Sequence, residues 1–188
     1  MISTFRVRIP QERVGVLIGP DGAVRRKLEK LFQVQLSIDS EGGEVIIVPV
    51  EGQEDPTANL KAQSAVQAIG RGFPPEKALE LRKDDFMLEI IDLRDLVPKS
   101  RRTIARIKAR IIGRGGRARQ IIEETTDALV CVYGNTVSLI GGPNEVEIAK
   151  DAIYKLVGGS EHKTVYRYLS YMRRELKKER LKLWEGTE

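Results

Sequence analysis

Residues Lys99–Thr125, KSRRTIARIKARIIGRGGRARQIIEET, decide the fold of this chain. Apolar residues recur at helical spacing before the central glycines and again after them, which predicts a helix, a glycine turn at Gly113–Gly116 and a second helix. Basic side chains flank the turn on both sides, and no acidic residue interrupts from Leu96 to Ile122. A glycine turn lets backbone N–H groups approach a ligand closely, and the helix that follows favours an anion at its amino terminus. We therefore expect the turn to face a phosphate chain.

Composition limits the class of protein. The chain has 188 residues, of which 41% are apolar and 31% charged, enough for one or two compact domains. The net charge is only +5, so the clustering of basic residues is a stronger sign of a polyanionic partner than the total. A single cysteine excludes a disulfide framework and a cysteine-rich zinc site. There is no apolar run of membrane-spanning length and no signal-peptide pattern, so we expect a cytoplasmic protein without a membrane partner.

The order of predicted elements around this stretch also occurs earlier in the chain. Aligning the two glycine loops places IGPDGAVRRKLEKL (18–31) over IGRGGRARQIIEET (112–125). Each loop lies in the order strand, helix, loop, helix, strand, strand, helix, so the chain is an internal duplication. The predicted strands are 3–9, 34–38, 44–50, 86–92, 128–133 and 136–141, and the predicted helices are 13–18, 22–32, 54–69, 76–82, 100–112, 117–125, 144–157 and 163–184.

The duplication defines the predicted domains. Residues 1–72 form the first domain, 73–83 a proline-rich junction with a short helix, 84–160 the second domain, and 161–188 a carboxyl-terminal basic helix. The prolines stiffen the junction, so we expect the two halves to hold a defined orientation. The last helix has a narrow apolar seam, which favours docking onto the second repeat with a solvated basic face. Contact of its distal half with a partner protein or RNA is the alternative.

The element order and the two Gly-x-x-Gly loops resemble the type I KH family, whose loop clamps single-stranded nucleic acid. The resemblance implies an α+β fold of two tandem βααββα domains, each a three-stranded sheet with helices on one face. It also implies an apolar groove between the paired helices and the middle strand, although most of its residues could equally be core residues. The residues so placed are Ile111, Ile112, Ala118, Ile121, Val130 and Val132 in the second domain, and Leu17, Ile18, Ala23, Val24, Leu36 and Ile38 in the first.

The two loops differ in their chemistry. Pro20 has no N–H to donate and Asp21 carries a negative charge, which repels a phosphate. Arg114 instead supplies a positive charge, and Gly115 leaves room for close approach. We therefore expect the second repeat to bind single-stranded RNA, and the first to be either an auxiliary RNA site or a protein-contact module. The predicted contacts are Gly113, Arg114, Gly115, Gly116, Arg117, Arg106, Arg110, Arg119, Ile112, Ile121, Val130 and Val132, with a weaker site at Gly19, Pro20, Asp21, Gly22, Arg25 and Arg26.

Two other interpretations concern residues near the second loop. The basic run on the helix before it could be a solvated helix face, the usual fate of such runs, but its length and its continuation through the loop favour contact with an RNA backbone. Tyr133 is the only aromatic candidate for base stacking near the groove, and it could equally be a residue that flanks the hairpin turn.

The junction RGFPPEKAL (71–79) and the second loop IIGRGGRARQIIEETT (111–126) resemble, more narrowly, the Partner of Nob One family of ribosome-assembly factors in its short archaeal form. This resemblance covers roughly residues 3–180. It implies binding near the 3′ end of small-subunit ribosomal RNA, and it implies as partners a PIN-domain endonuclease and other assembly or translation factors. A general KH adaptor for RNA and an RNA-binding subunit of an RNA-degrading complex are the alternatives.

An enzyme is not indicated by the sequence. His162 is the only histidine and stands at a predicted helix start, while Cys131 lies in an apolar strand typical of a buried thiol. Neither has partners at catalytic or metal-ligand spacing, and the glycine loops lack the Lys-Ser/Thr ending of a nucleotide-binding P-loop. We expect no catalytic residue, no metal and no cofactor.

Overall fold

The first repeat contains a three-stranded antiparallel sheet and three principal helices. The computed structural model describes residues 4–53, 55–98 and 100–185. The sheet has the order β1-β3-β2, and a 3₁₀ turn at Pro20–Gly22 joins the first two helices. The elements are β1 (Phe5–Arg8), α1 (Gln11–Ile18), α2 (Ala23–Phe32), β2 (Val34–Ile38), β3 (Glu44–Pro49) and α3 (Ala58–Gly70).

The second repeat has the same order of elements, as the duplication predicted. Its sheet runs β4-β6-β5, and a 3₁₀ turn at Arg114–Gly116 joins the paired helices. A four-residue helix after the first strand was not predicted. The elements from the junction onward are α4 (Pro75–Ala78), a 3₁₀ turn (Leu79–Arg82), β4 (Met87–Asp92), α5 (Leu93–Leu96), α6 (Arg101–Ile112), α7 (Arg117–Thr126), β5 (Leu129–Tyr133), β6 (Thr136–Gly141), α8 (Pro143–Val157) and α9 (His162–Glu185).

The start of α3 differs from the prediction for a local chemical reason. The Asp55 carboxylate accepts hydrogen bonds from the backbone N–H of Thr57 at 2.7 Å and from its hydroxyl, which fixes a turn instead of a first helical turn. Glu54, the predicted first residue, lies outside the described residues. The helical spacing of residues 54–69 predicts core contacts at Leu60, Ala65, Val66 and Ile69. The prediction is wrong for Leu60, because its side chain is 53% exposed. The predicted contacts Ala65, Val66 and Ile69 are buried.

Strand β6 is buried on both faces and joins the two repeats. Val137 and Leu139 point to the helices of the second repeat and belong to its core. Ile140 points the other way and belongs to the core of the first repeat, together with Phe73 and Leu81 of the junction. The junction segment therefore packs into the first core, and the outer face of the second sheet is covered by the first repeat.

Helix α9 docks onto the second repeat. Val165 and Leu169 are fully buried in the second core, as the apolar seam predicted. In its distal half, Arg173, Arg174, Lys177 and Lys178 are exposed. Among the described residues, no helix is both long enough and apolar enough to cross a membrane.

Candidate nucleic-acid interface

The second glycine loop has a backbone that only glycine adopts readily. Gly113 has φ 74° and ψ 174°, a region almost restricted to glycine. A Cβ added there would lie 2.7 Å from the Cβ and the backbone nitrogen of Ala118 on α7. Gly115 and Gly116 also have positive φ, but a Cβ on either would meet no atom within 4 Å. Gly113 therefore serves helix packing, whereas Gly115 and Gly116 leave an open approach to the loop.

The first loop repeats this backbone with different side chains. Gly19 has φ 71° and ψ 175°, and Asp21, which aligns with Gly115, has φ 49° and ψ 26°. The guanidinium of Arg26 donates to the backbone oxygen of Asp21 at 2.6 Å, and the Asp21 side chain is exposed. The two loops are thus alike in conformation, and their difference lies in Pro20 and Asp21 against Arg114 and Gly115.

One glutamate in each repeat ties the second helix to the strand that follows it. Glu29 accepts the backbone N–H of Leu36 at 2.9 Å, and Glu123 accepts that of Val130 at 2.9 Å. The loop alignment places these two pairs at equivalent positions. Because each bond fixes α2 or α7 against the next strand, both repeats hold their grooves in the same way.

The basic side chains around the second loop divide into free and engaged groups. Arg106, Arg114 and Arg117 are exposed, and no salt bridge joins them to another of the described residues. Arg119 is also exposed and lies 3.9 Å from the carboxylate of Glu123. Arg25, the position equivalent to Arg119, makes the same kind of pair with Glu29 at 3.1 Å. Ion pairs four residues apart on a helix contribute only about 0.3–0.5 kcal/mol, so both arginines remain available to a phosphate.

Arg110 is not the free phosphate contact that the sequence predicted. Its guanidinium donates to the backbone oxygen of Leu156 at 3.1 Å and to that of Ser160 at 2.7 Å. The ring nitrogen Nε2 of His162 lies 2.8 Å from the backbone oxygen of Arg110. Arg110 therefore fastens α6 to the end of α8, and His162 closes the same junction.

The predicted apolar groove is only partly open. Ile112, Ile121 and Val132 are half-buried, so part of each side chain remains available to a ligand. The prediction that Val130 contacts a base is wrong, because this side chain is 2% exposed and belongs to the second core. Of the other predicted groove residues, Ala23 is exposed, Ile18, Val24 and Ile38 are half-buried, and Leu17, Leu36, Ile111 and Ala118 are buried.

Tyr133 lies between the repeats, where sequence reasoning did not place it. Its hydroxyl donates to the carboxylate of Glu12, and this hydrogen bond raises the pKa of Tyr133. The guanidinium of Arg13 lies 5.7 Å from the centre of the Tyr133 ring and donates to the backbone oxygens of Ile69 and Phe73, each at 2.8 Å. No local sequence signal marks these contacts, since Tyr133 and Glu12 are 121 positions apart.

Cys131 faces the same seam between the repeats. Its thiol lies 3.4 Å from the backbone oxygen of Arg71, and burial raises the pKa of that thiol. A raised pKa keeps the thiol protonated and weakly reactive. Within residues 4–53, 55–98 and 100–185, no group of three or more histidine, cysteine, aspartate or glutamate side chains could hold a metal ion.

Comparison with known families agrees with this geometry. A model described as a eukaryotic-type KH domain, of KH type I, matches residues 87–174. A general KH domain model matches residues 4–66. The chain is therefore a tandem KH protein, and the predicted α+β fold of two βααββα domains followed by a helix is confirmed.

Individual relatives narrow the class. A KH domain-containing protein of Methanocaldococcus jannaschii is 45% identical over 95% of this chain and 78% of that protein. The pre-rRNA-processing protein pno1 of Schizosaccharomyces pombe is 27% identical over 86% of this chain and 67% of that protein. The solved a/eIF2alpha–aDim2p–rRNA complex of Pyrococcus horikoshii contains a chain 47% identical, with a TM-score of 0.89 over 93% of this chain and 96% of that one. This chain belongs to the archaeal Dim2p/Pno1 family of KH-domain ribosome-assembly factors, as the resemblance of its junction and second loop implied.

Proposed function

We propose that this chain binds single-stranded RNA mainly through its second KH domain and acts in the cytoplasm as an assembly factor of the small ribosomal subunit. The observation that carries the proposal is the pair of loops, which share one backbone conformation but differ in charge and in N–H donors. The second loop, Gly113–Gly116, is the one whose chemistry suits a phosphate.

The hydrogen bonds of the second turn support this assignment. The N–H of Gly116 donates to the backbone oxygen of Gly113 at 3.1 Å, and the N–H of Arg117 donates to that of Arg114. The N–H groups of Gly116 and Arg117 are therefore hydrogen-bonded within the turn. The N–H groups of Arg114 and Gly115, at its tip, remain for a ligand. The Arg114 side chain is exposed beside them and adds a charge-assisted contact.

The first loop is a poorer phosphate site for two reasons. Pro20 stands where Arg114 stands in the second loop, so both an N–H and a positive charge are absent. The Asp21 carboxylate next to it would repel a phosphate by about 1 kcal/mol at 4 Å in water, and by about 4 kcal/mol at an effective dielectric constant of 20. We infer that the first loop contributes less to RNA affinity than the second.

A matched pair of variants tests this difference. Arg114→Asp/Gly115→Asp turns the second loop into Gly-Asp-Asp-Gly, and Pro20→Asp gives the first loop the same four residues. At about 1 kcal/mol or more for each new carboxylate, the double variant should bind RNA at least roughly thirtyfold more weakly. Pro20→Asp should change affinity by less than about threefold. The measurement is fluorescence anisotropy with a labelled oligonucleotide of the 3′-terminal small-subunit ribosomal sequence.

The chain supplies a control for folding in this experiment. Asp21 already occupies the loop position equivalent to Gly115 with the same backbone, so an aspartate there is compatible with the fold, and circular dichroism should show unchanged spectra for both variants. Equal losses of affinity in the two variants would contradict the asymmetry. A wild-type chain that binds no single-stranded RNA would contradict the proposal as a whole.

The finer proposal concerns the RNA target and the partners. The Pyrococcus horikoshii relative was solved in a complex that includes rRNA and a/eIF2alpha, and we infer that this chain binds near the 3′ end of small-subunit ribosomal RNA. A PIN-domain endonuclease and a translation factor are the proposed protein partners. Crosslinking in cells should enrich ribosomal 3′-terminal fragments, and small-subunit precursors should copurify. Crosslinks spread over messenger RNA would favour a general adaptor, and copurification with an exonuclease would favour an RNA-degrading complex.

A further inference from the structure

An open cavity of about 370 Å³ lies at the amino-terminal end of α6, away from the glycine loop. This volume is within the range of roughly 300–1,000 Å³ of small-ligand pockets. Its lining residues are Arg94, Arg101, Ile104, Ala105, Lys108 and Asn135.

The cavity continues the line of the loop along one helix. Arg101, Ala105, Lys108 and Ile112 are spaced by four, three and four residues, so they form one stripe on α6. Ile112 borders the glycine loop, and the helical rise of about 1.5 Å per residue places Arg101 ~18 Å from Gly113. An RNA strand that leaves the loop along this stripe would reach the cavity.

Hydrogen bonds hold the wall of the cavity in place. The ammonium of Lys108 donates to the backbone oxygen of Gly134 at 2.7 Å, which ties α6 to the β5–β6 turn. The N–H of Leu93 donates to the backbone oxygen of Asn135 at 2.9 Å, which ties the same turn to α5. The turn is thus fixed from two sides before any ligand binds, which reduces the entropy that binding would otherwise lose.

The charges at the cavity leave two cations uncompensated. Arg94 is paired with the carboxylate of Asp92, with Nε at 2.9 Å and 3.1 Å from its two oxygens. In the described part of the chain, no carboxylate forms a salt bridge with Arg101 or Lys108, and the only partner of Lys108 there is the neutral backbone oxygen of Gly134. Ala105 adds an exposed apolar surface between these charges, whereas Ile104 is buried in the second core. The Asn135 amide offers both a donor and an acceptor.

In its described residues, the first repeat lacks counterparts of the basic side chains that line this cavity. Helix α1 has 8 residues against 12 in α6, so Arg101 has no counterpart there. The loop alignment places Val14, a buried core residue, at the position of Lys108. The hairpin of the first repeat carries the exposed acids Asp39 and Glu41. Among the described residues, the basic lining of this cavity therefore occurs in the repeat that has the basic loop and has no counterpart in the first.

We propose that this cavity is a nucleotide subsite, which takes the phosphate and base of an RNA residue beyond the four nucleotides clamped by a KH loop. Arg101 and Lys108 contact the phosphate, the exposed Ala105 lies against the base or sugar, and Asn135 reads a base edge. The subsite rests on the RNA binding proposed above and extends it by a defined contact.

The test compares a tetranucleotide with an octanucleotide that contains it, both single-stranded RNA from the 3′-terminal ribosomal sequence. Wild-type protein should bind the octanucleotide more tightly. Arg101→Gln should weaken octanucleotide binding roughly fivefold, the equivalent of about 1 kcal/mol for one contact. It should also reduce the slope of log affinity against log salt by about 0.7. Tetranucleotide binding should change less than about twofold.

Arg102→Gln is the matched control, because Arg102 is exposed on the same turn of α6 but is not among the residues that line the cavity. It should change binding of either RNA less than about twofold. Lys108→Gln should reproduce the Arg101 pattern, with circular dichroism to check the fold, since this change also removes the bond to Gly134.

Three results would overturn the subsite. The first is that the wild type binds both RNAs with equal affinity. The second is that Arg101→Gln lowers the affinity for both RNAs equally. The third is that Arg102→Gln lowers the affinity as much as Arg101→Gln does. In each case the glycine loop would keep its proposed role as long as the tetranucleotide binds. A wild-type chain that binds neither RNA would overturn the subsite and the RNA-binding function together.

Discussion

Alanine at Gly113 should destabilise the protein far more than alanine at Gly115, although the two changes are chemically identical. The backbone of Gly113, at φ 74° and ψ 174°, costs a non-glycine residue roughly 1–3 kcal/mol. The new Cβ would also lie 2.7 Å from the backbone nitrogen of Ala118. Ala118 is buried at the start of α7, so relief requires movement of that helix. Strain and overlap together should cost about 3 kcal/mol or more.

Alanine at Gly115 should cost less stability. Its left-handed backbone, at φ 58° and ψ 24°, costs an alanine about 1–2 kcal/mol, and the added Cβ meets no atom within 4 Å. Alanine also restricts the unfolded chain, which returns about 0.4–1 kcal/mol. The net loss should therefore be about 1 kcal/mol or less. Asp21 shows that a side chain is tolerated at the equivalent position of the first loop.

Thermal unfolding followed by circular dichroism distinguishes the two variants. For a chain of this size, 1 kcal/mol corresponds to roughly 2–4 °C in the melting temperature. Gly113→Ala should lower it by roughly 6–12 °C, and Gly115→Ala by less than about 4 °C. Equal shifts, or a larger shift for Gly115→Ala, would refute the division of the loop into a packing glycine and an open glycine.

The remaining predictions concern stability. Glu123→Ala removes the carboxylate that accepts the backbone N–H of Val130 on β5. This change should lower the free energy of unfolding by about 1–3 kcal/mol. Urea unfolding would measure the loss, and an unchanged free energy would contradict the proposal that Glu123 ties α7 to β5. Hydrogen bonds, chiefly from Lys61, lower the pKa of Asp55 to about 2. The stabilisation by Asp55 is therefore present above about pH 5 and lost as the pH falls toward 2. Melting temperatures of Asp55→Asn and wild type should converge over this range, and a constant difference would contradict the pairing.

The element order and both loops could be predicted from sequence because their signals are local. Periodicity places amphipathic helices, and glycine pairs mark the turns between them. The start of α3 was misplaced because Asp55 and Thr57 form a side-chain turn that interrupts the apparent helical pattern. The same helical pattern predicted that Leu60 is buried in the core, but its side chain is exposed.

The errors at the site have a different origin, since they depend on contacts between distant parts of the chain. Arg110 looks like any other residue of the basic run, yet its partners Leu156 and Ser160 are 46 and 50 positions away. Val130 and Cys131 face opposite sides of β5, and both sides meet protein, the second core on one side and the first repeat on the other. Alternation along a strand cannot show which of two such faces a ligand reaches.

The duplication gives the two repeats different proposed roles, RNA binding for the second and support of its sheet for the first. The two repeats keep the same loop backbone and the same glutamate-to-strand bond, so the KH scaffold is intact in both. The first repeat has acids at its loop and hairpin, and its core receives Ile140 from the middle strand of the second sheet. Through this contact the first repeat covers the outer face of the second sheet, where Leu129 and Cys131 of β5 also pack against its core. A groove on a supported sheet should lose less entropy when it orders a single strand, so we expect this packing to favour RNA binding at the proposed second site.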